Sequence, residues 1–166
     1  MARRVFFSFH YDDVWRVMQV RNSGVVRAAG EVAGFVDKAD FEAVERKGEA
    51  AIKRWIDAQL EGTSVTIVLI GQETADRPYV QYEIERSYER GNRLLGIWID
   101  NIRDTDGSTL WWRGANPFEN VQIGGFFLGS SVASLLRVPI YDWVHDDGRK
   151  NIARWIEQAP GRELNP

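Results

Sequence analysis

A chain of 166 residues, 44% hydrophobic and 27% charged, with a net charge of −3, is one globular domain long enough to bury its own core. Acids and bases are mixed along it with no basic block, which excludes the electrostatic footprint of a nucleic-acid or anionic-membrane binder. The absence of cysteine excludes disulfides, thiolate chemistry and zinc–sulfur sites, and makes a reducing cytoplasm the expected compartment.

In chain order, Arg4 to Phe9 reads as a first strand that starts close to the N-terminus and is expected to lie inside the sheet. The opening MARRVFFSF is too short in apolar residues for a signal peptide. Ser8, His10, Tyr11, Asp12 and Asp13 follow at the strand's end, where a parallel α/β sheet keeps its ligand crevice. Asp12 or Asp13 is also suited to cap the next helix, Val14 to Asn22. FSFHYDD holds no glycine, so neither a dinucleotide fingerprint nor a P-loop is present. The two histidines, His10 and His145, lie far apart without ligand spacing, and no metal site is expected.

Gly24, Gly30 and Gly34 interrupt the next stretch, with a short strand readable at Gly34 to Asp37. Phe41, Val44, Ile52, Trp55, Ile56 and Leu60 then form an apolar stripe that predicts one helix over 41–60, weakened at Gly48. Val65 to Ile70 has no polar face and reads as a central strand covered on both sides. Asp76 as N-cap and Pro78 in the first turn predict a helix whose inward face carries Val80, Ile84, Ser87 and Tyr88. On a wheel of about 100° per residue, Glu85 and Glu89 fall opposite that face, whereas Glu83 lies beside it. Glu83 is therefore either an acid turned into the crevice or a boundary glutamate paired with Arg86 or Arg90.

Leu94 to Ile99 is a further buried strand. Residues 101–136 read as an irregular insertion, rich in glycine and in exposed-looking aromatics: Trp111, Trp112, Phe118, Phe126 and Phe127. Arg137 to Tyr141 is the last strand, assigned to an edge by Pro139. A final helix opens at Asp146-Asp147-Gly148, with Ile152, Trp155 and Ile156 inward, and a tail over 160–166 is expected to fray. No apolar run reaches the roughly 18 residues of a membrane span. The order predicts an α/β three-layer sandwich with a mostly parallel, flavodoxin-like sheet, an insertion before the last strand, and one domain over 1–159.

Asp12 and Asp13 resemble the acidic pair of response-regulator receivers. Later strand ends at Gly71 and Asp100, and Arg137 ahead of the last strand, do not supply the rest of that pattern. A lone carboxylate beside aromatic rings suits another reaction, cleavage of a glycosidic bond through an oxocarbenium-like transition state. With a leaving group that is already cationic, as nicotinamide is in NAD, no general acid is needed. Phe7, Phe9, Tyr11 or Trp15 could stack on the bases.

Three segments carry a family resemblance: RRVFFSFHYDDVWRV with VRNS, TSVTIVLIG with RPYVQYEIERSYERGN and LLGIWI, and VPIYDWVHDDG. Together they resemble the TIR-like proteins of the Thoeris antiphage system, the ThsB family. The spacing from Tyr79 to Glu83 is similar to that of the TIR helix bearing the catalytic glutamate, with Tyr79 where such helices often carry Trp. The resemblance implies an enzyme that takes NAD as substrate, with no other cofactor and no metal. It would release nicotinamide and make a cyclic ADP-ribose isomer that activates the effector ThsA. It implies Glu83 as the catalytic residue. Phe7, Ser8, Phe9, His10, Tyr11, Asp12 and Tyr79 would form the nucleotide pocket, with Arg21 and Asn22 of VRNS reaching it. A phage trigger protein and homo-oligomers are further partners it leaves open, and neither nucleic acid nor membrane is expected. The alternative is a non-catalytic TIR-like module that binds a nucleotide or a protein.

Overall fold

The computed structural model describes residues 3–23, 26, 30–33, 38–124 and 129–164. Its strands are β1 (Arg3–Phe9), β2 (Gly30–Ala33), β3 (Val65–Ile70), β4 (Arg93–Trp98), β5 (Gln122–Ile123), β6 (Ser130–Ser131) and β7 (Ile140–Asp142). Its helices are α1 (Val14–Arg21), α2 (Lys38–Glu45), α3 (Glu49–Leu60), α4 (Pro78–Glu89), α5 (Val132–Leu136) and α6 (Gly148–Gln158). Five strands form one parallel sheet in the order β2-β1-β3-β4-β7, the flavodoxin-like order, with helices on both faces. β1 is interior, and β7, which Pro139 precedes, is an edge.

Strand periodicity sorts the core. All six residues of β3 are buried, as its apolar run requires. Val5, Phe7, Ile67 and Leu69 face Val17 and Val20 of α1 and Ile152, Trp155 and Ile156 of α6. Phe6 faces Ile52, Ile56 and Leu60 of α3, while Val68 and Ile70 face Val80 and Ile84 of α4. Ser87 is buried in α4 because it has a polar neighbour: its Oγ lies 2.7 Å from Thr66 Oγ1, which also accepts from Asn92 Nδ2 at 3.1 Å.

Several expectations are corrected. The helix expected over 41–60 is two helices, broken at Gly48, whose φ of +97° lies in the region that favours glycine. The cap of α4 is Arg77, held extended (ψ 120°) as the residue before Pro78, and Asp76 closes a separate 3-10 turn. Neither Asp12 nor Asp13 caps α1 through its side chain; the two sit in a 3-10 turn, Tyr11–Asp13. The insertion is more ordered than its glycines suggest. It contains a 3-10 turn at Pro117–Asn120, the hairpin strands β5 and β6, and α5. Phe118 is fully buried, while Trp111 is 91% exposed. Phe126, Phe127 and the strand expected at Gly34–Asp37 lie outside the described residues. The start of the tail does not fray: Leu94 N–H donates to Pro160 O at 2.8 Å, and Arg162 lies over the Tyr88 ring.

Candidate functional site

The carboxyl end of β1, the first turns of α4 and the helices α2 and α3 enclose a hollow of about 320 Å³. Its wall is aromatic. Tyr11 stacks on Phe41 with centroids 5.3 Å apart, and Phe41 meets Trp55 and Tyr79 edge-on at 6.0 and 6.2 Å. Phe9 packs beside Tyr11 at 5.8 Å. Rings so arranged present both faces and edges, which suits a flat heterocycle.

Among the described residues three acids line this hollow, Glu42 and Glu45 from α2 and Glu83 from α4, and Glu83 is the one that meets β1. It sits in the second turn of α4, which begins just past the end of β3, so its side chain reaches across to β1. There the buried Ser8 hydroxyl donates a short hydrogen bond to Glu83 Oε2. Ser8 points toward α4 because the period of two that turns Phe7 toward α1 turns Ser8 the other way. Burial pushes the Glu83 carboxyl up to about 8, and the Ser8 hydrogen bond, which favours the ionised form, offsets only part of that. Glu83 is therefore mainly a neutral acid near pH 7. The alternative reading, a boundary glutamate paired with Arg86 or Arg90, is not what is found: among the described residues Glu83 meets Ser8 and forms no ion pair, while Arg86 Nε lies 2.8 Å from Asp57 Oδ1 and Arg86 also pairs with Glu89.

The sequence candidates divide. Phe7, Phe9, His10, Tyr11, Tyr79 and Glu83 line the hollow, and Ser8 joins them through Glu83. Asp12 is exposed and does not line it. Arg21 and Asn22 do not line it either. They end α1, and a helix of eight residues carries its far end about 12 Å from the carboxyl edge of the sheet. Sequence reasoning missed Phe41, Trp55 and Arg77. Phe41 and Trp55 were legible as an apolar stripe but not as the part of that stripe left uncovered. Arg77 had a signal in its place immediately before Pro78 at a helix start.

His10, Asp12 and Glu73 bring one ligand atom each within 4.8 Å of one another. Asp12 and Glu73 are open to solvent, and the Arg77 guanidinium lies 3.3 Å from Glu73, so a cation there would compete with a resident one.

The insertion docks beside this edge. Arg16, buried in α1, donates to Ile102 O at 2.9 Å and to Ser108 O at 3.0 Å. Arg113 lies 4.2 Å over the Trp98 ring and bridges the buried Asp100 and Asp142 at the ends of β4 and β7.

Residues 6–104 match the model of the family described as Thoeris protein ThsB, TIR-like domain. A protein of Bacillus cereus (strain MSX-D12), described as "Putative cyclic ADP-D-ribose synthase ThsB1", is 35% identical over 192 aligned positions, covering 94% of this chain and 100% of that relative.

Proposed function

The chain belongs to the Thoeris ThsB family of TIR-like proteins, and from that premise we propose that it processes NAD in antiphage defence, with Glu83 as its catalytic residue. One observation carries the reading: the Glu83 carboxyl, set among aromatic rings in a hollow that Glu42 and Glu45 also line, has Ser8 as its hydrogen-bond partner and, among the described residues, no cationic side chain paired with it. A buried carboxylate is costly unless paired. NAD supplies the missing cation in its nicotinamide ring. Bound beside Glu83, that ring favours ionisation of the acid, so the carboxylate forms when substrate arrives.

The ionised carboxylate then holds a ribose hydroxyl and faces the positive charge that grows on the ribose ring. The bond between the ribose anomeric carbon and the pyridinium nitrogen breaks, and its electron pair leaves with nicotinamide, which departs neutral. No general acid is needed. A nucleophile of the same ADP-ribose unit captures the cation and loses a proton, giving a cyclic ADP-ribose isomer. Phe41, Tyr11 and Tyr79 keep water from that carbon and hold a base plane against it. The product is a diffusible messenger that activates the partner effector ThsA. Among the described residues no helix is long and apolar enough to cross a membrane; we place the enzyme in the cytoplasm, where NAD is.

The test is incubation with NAD, with and without phage lysate, and mass analysis of the nucleotides. Wild type is expected to release nicotinamide and a cyclic product, and Glu83→Gln neither. Equal turnover by the two proteins removes Glu83 from the mechanism.

A further inference from the structure

Two residues that line the hollow, His10 and Arg77, each hold an enclosed nitrogen that makes no hydrogen bond, His10 Nε2 and Arg77 Nε. A buried polar nitrogen left without a partner is costly, so two of them in residues of one wall point to a partner that arrives with a ligand. Both side chains also face a single oxygen. Glu73 Oε2 lies 3.8 Å from His10 Nε2 and 3.3 Å from Arg77 Nη2. Asp12 Oδ2 lies 3.1 Å from His10 Nε2 without meeting it in a hydrogen bond. The Glu73 and Arg77 side chains are 57% and 40% exposed, so their pairing is screened and readily exchanged.

The hollow, at about 320 Å³, has room for one nucleoside and not for a whole dinucleotide. Whatever joins the two halves must pass its mouth. We propose that Arg77 and His10 form the subsite for the diphosphate bridge of the dinucleotide, and that the Glu73 carboxylate is the resident anion which the diphosphate displaces. The inference rests on the NAD reading and adds to it a residue outside the helix face that bears Glu83. Arg77 suits the role chemically, since a guanidinium offers paired donors to phosphate oxygens. It also sits at the N-cap of α4, whose first turn has no side-chain cap, so the helix's positive end adds to the same place. Glu73 acts as a gate of modest height: it lies against Arg77 and His10 and gives way to a doubly charged competitor.

The experiment is calorimetric titration of ADP-ribose, which carries the diphosphate and has no nicotinamide to lose, into wild type, Arg77→Gln and Glu73→Gln. Loss of one charge-assisted phosphate contact is expected to weaken binding in Arg77→Gln by about tenfold or more, with a shallower dependence on salt. Glu73→Gln is expected to bind about threefold or more tightly than wild type, because the competing carboxylate is gone. A merely structural role for either residue does not produce opposite signs. Unchanged ADP-ribose affinity in Arg77→Gln, or weaker binding in Glu73→Gln, overturns the subsite. The chemistry is judged separately: if Glu83→Gln still cleaves NAD while the two opposite shifts persist, the subsite stands and the role of Glu83 falls.

Discussion

The Ser8 hydroxyl on β1 and the Glu83 carboxyl on α4 share a short hydrogen bond across the floor of an aromatic hollow. Ser8 is fully buried, so its hydroxyl is committed to this contact. It partly counters the burial that drives the Glu83 carboxyl up to about 8.

Removing that hydroxyl is expected to raise the Glu83 value further. In Ser8→Ala, the acid limb of the pH profile of kcat/KM, which reports the free enzyme, moves to higher pH. Activity at neutral pH falls by about tenfold, the worth of one hydrogen bond to a charged group. Steady-state rates on NAD across roughly pH 6 to 10 check this. A profile superimposable on that of wild type would mean that Ser8 does not set the ionisation of Glu83.

Stability without ligand carries an opposite signature to that of an ordinary surface acid. The folded-state value of Glu83 lies above its unfolded value, 4.5 against about 8. Its contribution is fully present below 4.5 and is lost as pH rises through about 8. Glu83→Gln has no proton to give up. Wild type is thus expected to lose stability relative to Glu83→Gln across that window by an amount on the order of a few kcal/mol, levelling off above it. Thermal or urea unfolding of both proteins at several pH values reads the difference. A gap independent of pH would show that the carboxyl is already ionised in the folded protein.

Gly114 fixes the insertion against the sheet edge. A Cβ at Gly114 would come 1.9 Å from the carbonyl oxygen of Gly71, a backbone atom that cannot swing aside as a side chain can. Gly114→Ala must therefore move the loop or the end of β3, at about 1–3 kcal/mol. The Gly71 end leads into Glu73 and Arg77, so the variant is also expected to weaken ADP-ribose binding. Unfolding midpoints and titration of the same variant test both effects. A variant as stable as wild type would mean that the two backbones do not pack this closely.

The sheet was legible because its signals are local. Val65 to Ile70 is apolar at every position, Ser8 to Asp13 brings polar groups to a strand end, and the face of Val80, Ile84, Ser87 and Tyr88 singles out Glu83 as the acid beside it. What sequence could not give is the partner of Glu83. Ser8 lies 75 residues away and meets it only through the β1–β3 pairing that sets Ser8 opposite Val68. The same is true of Arg77 and His10, which converge on Glu73 because two loops leave adjacent strands at the same edge. Periodicity also failed where composition was ambiguous. Phe118 and Trp111 read alike among glycines and polar residues, yet one packs with Val68 and Ile70 and the other is exposed.

Arg113 is the electrostatic clasp of the insertion. Its guanidinium pairs with Asp100 and Asp142 and lies over the Trp98 ring. Burial alone would raise the Asp142 carboxyl. Hydrogen bonds from the His145 and Val144 amides and from Asn101, together with the Arg113 charge, outweigh it and hold the group below its usual value of 3.8. By linkage, that contribution is present above 3.8 and is lost as pH falls through the lower folded-state value. Arg113→Met keeps the packing on Trp98 but leaves the Asp100 and Asp142 carboxylates without their shared cation. It is expected to cost about 1–3 kcal/mol at neutral pH, discounted for the partial exposure of Arg113, and to cost less in acid, where Asp142 takes up its proton. Arg113→Lys does not restore the loss, because a point charge cannot reach both acids and stack on the ring. Unfolding curves of the three proteins at neutral and acid pH decide the matter: a deficit in Arg113→Met that does not shrink as Asp142 protonates would assign the clasp to packing on Trp98 instead of to charge.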